Sequence, residues 1–391
     1  MQQNGKTGAL VIGGDYQGLG IVRSLGRQGR PVFVLDDEYS ISGFSRYVTG
    51  SVRVPDLRTE QVALTTLIEM AQHYNLRNWV LFPTRDELVA TLSRHKSCLS
   101  QWFRVPTPEW ESIKWVWDKR NTYKLAGELG IPHPKTWVPE RVDDLDKIDC
   151  GFPLALKPAI KEHFFYATRA KAWRANTRTE LRDLFAKASA VAGLGDVLVQ
   201  DVIPGGGEHQ VAYCAFFKAG LPIGKMVVRR RRQHPHEFGR ASTFVETIDM
   251  PQIESLSEKF LRAINYYGLV EVEFKQDTRD GEFKLLDVNA RTWGYHSLGR
   301  SAGVDFPDLL YRDQEGEHLD PVRGRTGVTW VRLMTDLPIG IIDVLTHRLK
   351  LSEYCRSVIN VDEPAVFSWE DPLPGIVECM LLPYLFVRRG F

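Results

Sequence analysis

Hydrophobic and polar positions alternate most regularly over Gly268–Arg291, which reads GLVEVEFKQDTRDGEFKLLDVNAR. Two runs rich in Val, Leu and Phe flank the turn formers of Asp277–Gly281, a pattern that predicts an antiparallel hairpin. A three-residue loop, Arg279-Asp280-Gly281, closes it, with Gly281 in the left-handed position such a loop requires. This sets Thr278 opposite Glu282, Glu273 opposite Asp287 and Glu271 opposite Asn289. Side chains alternate along a strand, so Glu271, Glu273, Asp287, Asn289 and Arg291 share one face. Val270, Val272, Phe274, Leu286 and Val288 face the other way, into a core.

Elsewhere the pattern changes period several times. Ala9–Gly13 is a buried-strand run, Ile21–Gln28 has helical spacing, and Pro31–Leu35 is a second strand ending at Asp36-Asp37. The glycine turn Gly13–Gly20 between them opens a helix, where backbone N–H groups favour anions. Glu60–His73 predicts an amphipathic helix and Trp79–Phe82 another buried strand. Pro83–Glu87 follows, where the end of a parallel strand faces a crevice. Asp86 and Glu87 equally suit the first turn of a helix. Asp118–Leu129 is a helix stopped by Gly130, with Pro132 and Pro134 beyond it. Strands are expected within Phe152–Lys157, Val197–Ile203, Gln210–Phe217 and Pro222–Val228, and a helix over Ala302–Tyr311. The tail Gly375–Phe391 is apolar and then basic. Pro383 interrupts any long helix there, which favours packing on the core over lying on a membrane.

At 391 residues the chain suits two or three domains. Its net charge of +1 provides no global field to recruit nucleic acid or an anionic membrane. Arg229–Arg232 lacks the interleaved aromatics of a nucleic-acid surface, so its guanidinium groups suit phosphate or carboxylate contacts, or a solvated strand end. The five cysteines are scattered without metal-type spacing, as expected of unpaired thiols in a reducing compartment. No apolar run approaches the roughly 20 residues that span a bilayer. These features predict a cytoplasmic protein, with a homodimer as the default assembly.

The acidic hairpin face admits two readings. It is a solvated surface with Arg291 as counter-ion, or its oxygen ligands hold Mg²⁺ with nucleotide phosphates completing the shell. The glycine turn with Asp36 likewise admits a dinucleotide site or merely a turn.

Taken together in order, these segments resemble the ATP-grasp superfamily, and within it the carboxylate–amine ligases, over roughly residues 8 to 312. The resemblance implies an α/β chain, α+β in its nucleotide domain, with ATP held between two sheets. Residues 1–114 would form a Rossmann-like domain and residues 115–312 the grasp, including a small subdomain near 135–204. Residues 313–391 carry no resemblance and are expected to pack on the grasp.

The same resemblance implies site roles. Lys119 and Lys157 match the two ATP lysines, and Gln200, Asp201, Val202 and Ile203 the hinge that reads adenine. Glu208 matches the ribose acid, with Gln200 standing where a Glu is usual. Glu273, Asp287 and Asn289 match the ligands of two Mg²⁺ ions, for which Mn²⁺ can substitute, and Arg291 an arginine steadying phosphate or intermediate. Lys157 precedes Pro158–Thr168, which contains no glycine where the family has a glycine-rich phosphate-covering loop. This stretch is the candidate lid, with Lys161, His163 and Thr168 as candidate contacts.

The implied reaction activates a small-molecule carboxylate as an acyl phosphate on the γ-phosphoryl of ATP, then couples it to an amine. Two alternatives stand beside it. One is a nicotinamide-dependent oxidoreductase using Gly13–Gly20 and Asp36. The other is an ATP-binding protein without turnover.

Overall fold

The computed structural model describes residues 7–168, 170–236, 238–239 and 241–389. Apolar runs such as Ala9–Ile12 and Val32–Asp36 are buried along their whole length, as suits a parallel sheet covered on both faces. Strands β1 (Ala9–Ile12), β2 (Val32–Asp36), β3 (Gly50–Arg53) and β4 (Val80–Pro83) accordingly pair in parallel in the order β3-β2-β1-β4. Helices Tyr16–Arg27, Glu60–His73 and Asp86–Arg94 follow β1, β3 and β4.

A second four-stranded sheet contains β5 (Thr136–Trp137), β6 (Leu154–Pro158), β7 (Trp173–Ala175) and β8 (Val197–Asp201), in the order β5-β8-β6-β7. Leu156, Phe164, Leu181, Phe185 and Val199 form its own apolar core with helix Arg178–Ala192.

The third sheet has eight strands: β9 (Gln210–Lys218), β10 (Leu221–His234), β11 (Ala241–Ile248), β12 (Gly268–Gln276), β13 (Phe283–Asn289), β14 (Val322–Arg323), β15 (Thr329–Val331) and β16 (Glu363–Pro364). The order is β13-β12-β9-β10-β11-β15-β16, with β14 on β10. One face packs Tyr213, Phe217, Val272 and Phe274 against helices Trp110–Trp117 and Pro251–Ala263. The other packs Cys214, Phe216, Met226 and Val228 in a core shared with β1 and helix Tyr16–Arg27. The region after residue 313 thus extends the central sheet.

The hairpin register at the acidic end is as expected, with Glu271 opposite Asn289 and Glu273 opposite Asp287. Its closed end differs. A bulge lets Phe274 pair with Leu285 and Gln276 with Phe283, so the turn spans Asp277–Glu282, not three residues. One extra residue flips the face. Leu285, not Leu286, is therefore buried in the core, while Leu286 turns toward the acidic face.

Two other expectations are corrected. Ala302–Tyr311 is not one helix: Gly303, at φ +96°, ends Leu298–Ala302 before Phe306–Gln314 begins. The stretch after Pro158 is not a loop but a helix, Lys161–Thr168. Phe164 anchors it in the small sheet's core.

Candidate functional site

The second and third sheets enclose a cavity of about 610 Å³, within the range of small-molecule sites. Ala155, Lys157 and Gln200 come to it from the small sheet, and Gln210, Gln233, Lys275 and Leu286 from the large one. Asp201, Val202, Ile203 and Pro204 line its hinge side. Phe152, Pro153, Ile203 and Leu286 make that end apolar. Lys275 fixes the hinge, its ammonium donating to Ile203 O at 2.9 Å and to Gly205 O at 2.6 Å.

A recess of about 100 Å³ continues from the cavity, sharing Lys157, Gln210, Phe238 and Leu286. Here the character is charged. Lys119, Lys157, Lys171 and Arg230 converge on Glu273 and Asp287.

Lys119 opens helix Lys119–Glu128, whose N-cap Asp118 accepts from Arg120 N. Its ammonium lies 2.5 Å from Asp287 Oδ1. Burial alone would lower its pKa, but the Asp287 carboxylate more than reverses this and the pKa is raised. Lys157, on β6, is pushed down to about 8 by burial and then by the neighbouring Lys119 charge. It donates to Gln200 Oε1 at 2.7 Å, while Gln200 Nε2 donates to Thr136 Oγ1 at 2.9 Å. The Gln200 amide is thus engaged within the protein.

On the hairpin, Asn289 Nδ2 donates to Glu271 Oε2 at 2.9 Å and to Glu273 Oε1 at 3.0 Å. This fixes the amide and directs its oxygen away from both acids. Glu273 also meets Arg230 at 3.4 Å. Burial would raise its pKa, but Arg230 and Lys171 hold it below the usual value. Glu271 behaves oppositely. Burial and the Glu273 charge push it up to about 7, against a hydrogen bond from Tyr295.

Glu273 and Asp287 present carboxylate oxygens on one face, whereas Asn289 Oδ1 accepts from Arg291 at 3.4 Å. Among the described residues no three His, Cys, Asp or Glu side chains form a protein-only metal cage. The two carboxylates fit Mg²⁺, which binds through few protein ligands and completes its shell with water and phosphate; Asn289 would join them with its amide turned over.

Other expected residues have partners of their own. Glu208 sits on the short turn Gly207–His209 with its carboxylate accepting from Gly206 N at 3.2 Å, and it is absent from the cavity lining. Asp201 is paired with Arg279 at 2.6 Å. Arg291 bonds Asp86 at 2.8 Å across to the N-terminal sheet's helix and lies 3.4 Å from Asn289 Oδ1 at the edge of the acidic face. The side chains of Lys161 and His163 lie outside the described residues, and Thr168 Oγ1 donates to Phe164 O within its own helix.

Sequence reasoning did not single out Lys171, Lys275 or Gln210, and left open which arginine of Arg229–Arg232 reaches a site. Strand alternation separates Arg231 from Arg230 and Arg232 but leaves those two on one face, and irregular pairing on either side of Arg232 sends them to different partners. Arg230 faces Glu273, whereas Arg231 pairs with Glu246 and Arg232 with Asp336.

The glycine turn gives the oxidoreductase reading no support. Asp36 accepts from Gly14 N and from Arg85, both at 2.6 Å, and from the backbone of Asp37 and Glu38. It is buried, and both of its oxygens are engaged within the turn. Arg85 also bonds Asp37 at 2.6 Å.

No protein-family model matches the chain. Among curated proteins it is 25% identical over 302 residues to the D-aspartate ligase of Enterococcus faecium, covering 72% of this chain and 70% of that protein. It is 23% identical over 214 residues to the carbamoyl phosphate synthase large chain of Methanocorpusculum labreanum, covering 53% of this chain and 20% of that one. Among solved structures, the biotin carboxylase domain of the Hydrogenobacter thermophilus 2-oxoglutarate carboxylase superposes with a TM-score of 0.66 at 17% identity. That match covers 82% of this chain and 73% of that one. The L-amino acid ligase of Bacillus licheniformis gives 0.60 at 15%, covering 80% and 75%. The chain therefore has the ATP-grasp fold and resembles, in sequence and architecture, its carboxylate–amine ligases.

Proposed function

We propose that the chain is an ATP-dependent ligase that activates a carboxylate as an acyl phosphate and couples it to an amine, releasing ADP and phosphate. The observation that carries this reading is the recess at the end of the two-sheet cavity. There Lys119, Lys157, Lys171 and Arg230 surround the Glu273 and Asp287 carboxylates. A solvated acidic surface would not gather cations in a half-enclosed recess beside an apolar slot.

In this reading the slot between Phe152, Ile203 and Leu286 takes the adenine, with backbone groups of Asp201–Ile203 at its edge. The triphosphate runs toward Lys119 and Lys157, which neutralise its charge. Glu273, Asp287 and Asn289 would hold two Mg²⁺ ions, replaceable by Mn²⁺, which neutralise charge on the transferring phosphoryl group. A carboxylate oxygen of the substrate attacks the γ-phosphorus and ADP leaves. The amine nitrogen then attacks the acyl carbon, phosphate departs, and the nitrogen loses a proton. Arg291 steadies the acyl phosphate. No side-chain nucleophile is needed, and excluding water protects the intermediate.

The same reading divides the chain into an N-terminal domain to residue 114, a grasp to residue 312 with its small subdomain near 135–204, and a C-terminal region. It places the protein in the cytoplasm with small-molecule substrates. The E. faecium relative makes D-aspartate the first carboxylate to test. ADP release should require Mg²⁺, ATP, a carboxylate and an amine together. Mg²⁺-dependent ATP binding without ADP release from a broad panel of pairs would favour a non-catalytic nucleotide-binding protein.

A further inference from the structure

Helix Leu333–Leu345 buries polar side chains and exposes aliphatic ones. Its buried side carries Thr335, Asp336 and Asp343 beside Ile339 and Gly340. Arg232 donates to both Asp336 carboxylate oxygens at 2.8 Å, and His236 lies 3.3 Å from Asp343. Residues on a helix advance by about 100° each. Leu337, Ile341, Ile342 and Leu345 therefore share the side opposite those acids, and all four are exposed, Leu345 to 73%. The helix that packs beside it, Leu351–Ile359, buries Tyr354 and exposes Leu351 and Ile359, at 62% and 79%. Single exposed aliphatic residues are ordinary; six on two adjacent helices form a patch that marks an interaction surface.

The connection and second helix add charge to this patch. Arg348, Lys350 and Arg356 are exposed beside it. Across residues 344–360 they are opposed by one acid, Glu353, 3.9 Å from Lys350. Among the described residues no helix is long and apolar enough to cross a membrane.

We propose that this face docks on an anionic membrane surface. The aliphatic side chains enter the boundary between headgroups and acyl chains, while Arg348, Lys350 and Arg356 meet lipid phosphates. Charge decides between this occupant and a second copy of the chain. A two-fold contact would bring the same cationic rim against itself, whereas an anionic surface complements it. The surface lies outside the nucleotide cavity, so it stands or falls independently of the proposed reaction.

The test is cosedimentation of the full chain with vesicles of phosphatidylcholine and phosphatidylglycerol in equal parts, against phosphatidylcholine alone. Binding to the mixed vesicles should be strong, weakened by high salt, and reduced on the order of tenfold by Ile341→Glu with Leu345→Glu. A second variant, Arg348→Glu with Lys350→Glu, leaves the aliphatic patch intact and should lose the preference for anionic vesicles. It provides the readout if the first fails to fold, and thermal unfolding of both checks this. Wild-type protein remaining in the supernatant overturns the proposal, as does equal binding to neutral vesicles. A wild-type dimer in sedimentation velocity that Ile341→Glu dissociates also overturns it, in favour of a second copy.

Discussion

Lys119 Nζ lies 2.5 Å from Asp287 Oδ1, joining the helix that leads into the nucleotide region to the acidic hairpin. Each group is placed by a different element, and neither would be stable there alone. Charge placed where phosphate and cation are to bind is preorganised, which is how phosphoryl transfer is accelerated.

Asp287→Ala should lower ADP release by about a hundredfold or more while the fold survives. Lys119 loses its partner, so unfolding in urea should show a cost of about 1–3 kcal/mol. Full activity in this variant would remove Asp287 from the proposed metal site.

Lys157 gives the cavity a pH dependence. Its folded pKa, about 8, is below the ordinary lysine value of 10.5. The unfolded chain therefore binds more protons between these values, and this group's contribution makes the empty protein more stable as pH rises from 8 to 10.5. Nucleotide phosphates favour the charged ammonium, so affinity should fall as pH rises through about 8, with proton uptake on binding near that pH. Calorimetry in buffers of different ionisation enthalpy measures the uptake. Lys157→Met should weaken binding and abolish the pH step; unchanged affinity would exclude the phosphate role.

Much of this site was legible because strand alternation and a turn are local. Glu271, Glu273, Asp287 and Asn289 fall on one face whichever partner strand is present, and the register among them holds. The bulge that moves Leu286 out of the core was not legible, since LL in a strand run fits either face. Arg230, Lys171 and Lys275 reach the cleft through strand order and lobe packing, which no window of sequence encodes. After residue 313 the strands are two or three residues long, too short to show a period. Helix Leu333–Leu345 was not read from the sequence: an aliphatic stripe ordinarily marks a core face, yet Asp336 is buried here because Arg232 meets both its carboxylate oxygens.

Tyr166, on helix Lys161–Thr168, spans to the N-terminal domain. Its hydroxyl donates to Glu87 at 2.7 Å and its ring lies 4.3 Å beneath the Arg58 guanidinium. If this contact holds the small sheet closed, Tyr166→Phe should keep the stacking, lose the hydrogen bond, and raise ADP release unaccompanied by amide by roughly 2- to 10-fold. An unchanged ratio of ADP to amide would mean the contact does not seal the site.

Arg85 holds the buried Asp36 and Asp37 together, at 2.6 Å from each. Arg85→Ala should cost about 3–5 kcal/mol in urea unfolding, because two carboxylates lose their shared partner in a low-dielectric setting. Nucleotide affinity, set between the other two sheets, should change little. A loss of affinity with stability intact would instead place Arg85 in the binding site.

The most direct test of the account follows oxygen. Once ADP release has identified a carboxylate and its amine, the carboxylate is supplied with both oxygens as ¹⁸O and the released phosphate is examined by mass spectrometry. An acyl phosphate carries one substrate oxygen bridging to phosphorus, so one ¹⁸O per turnover should appear in phosphate and one should remain in the amide. Unlabelled phosphate alongside ATP-dependent amide, or ¹⁸O in AMP, would contradict γ-phosphoryl activation of the carboxylate.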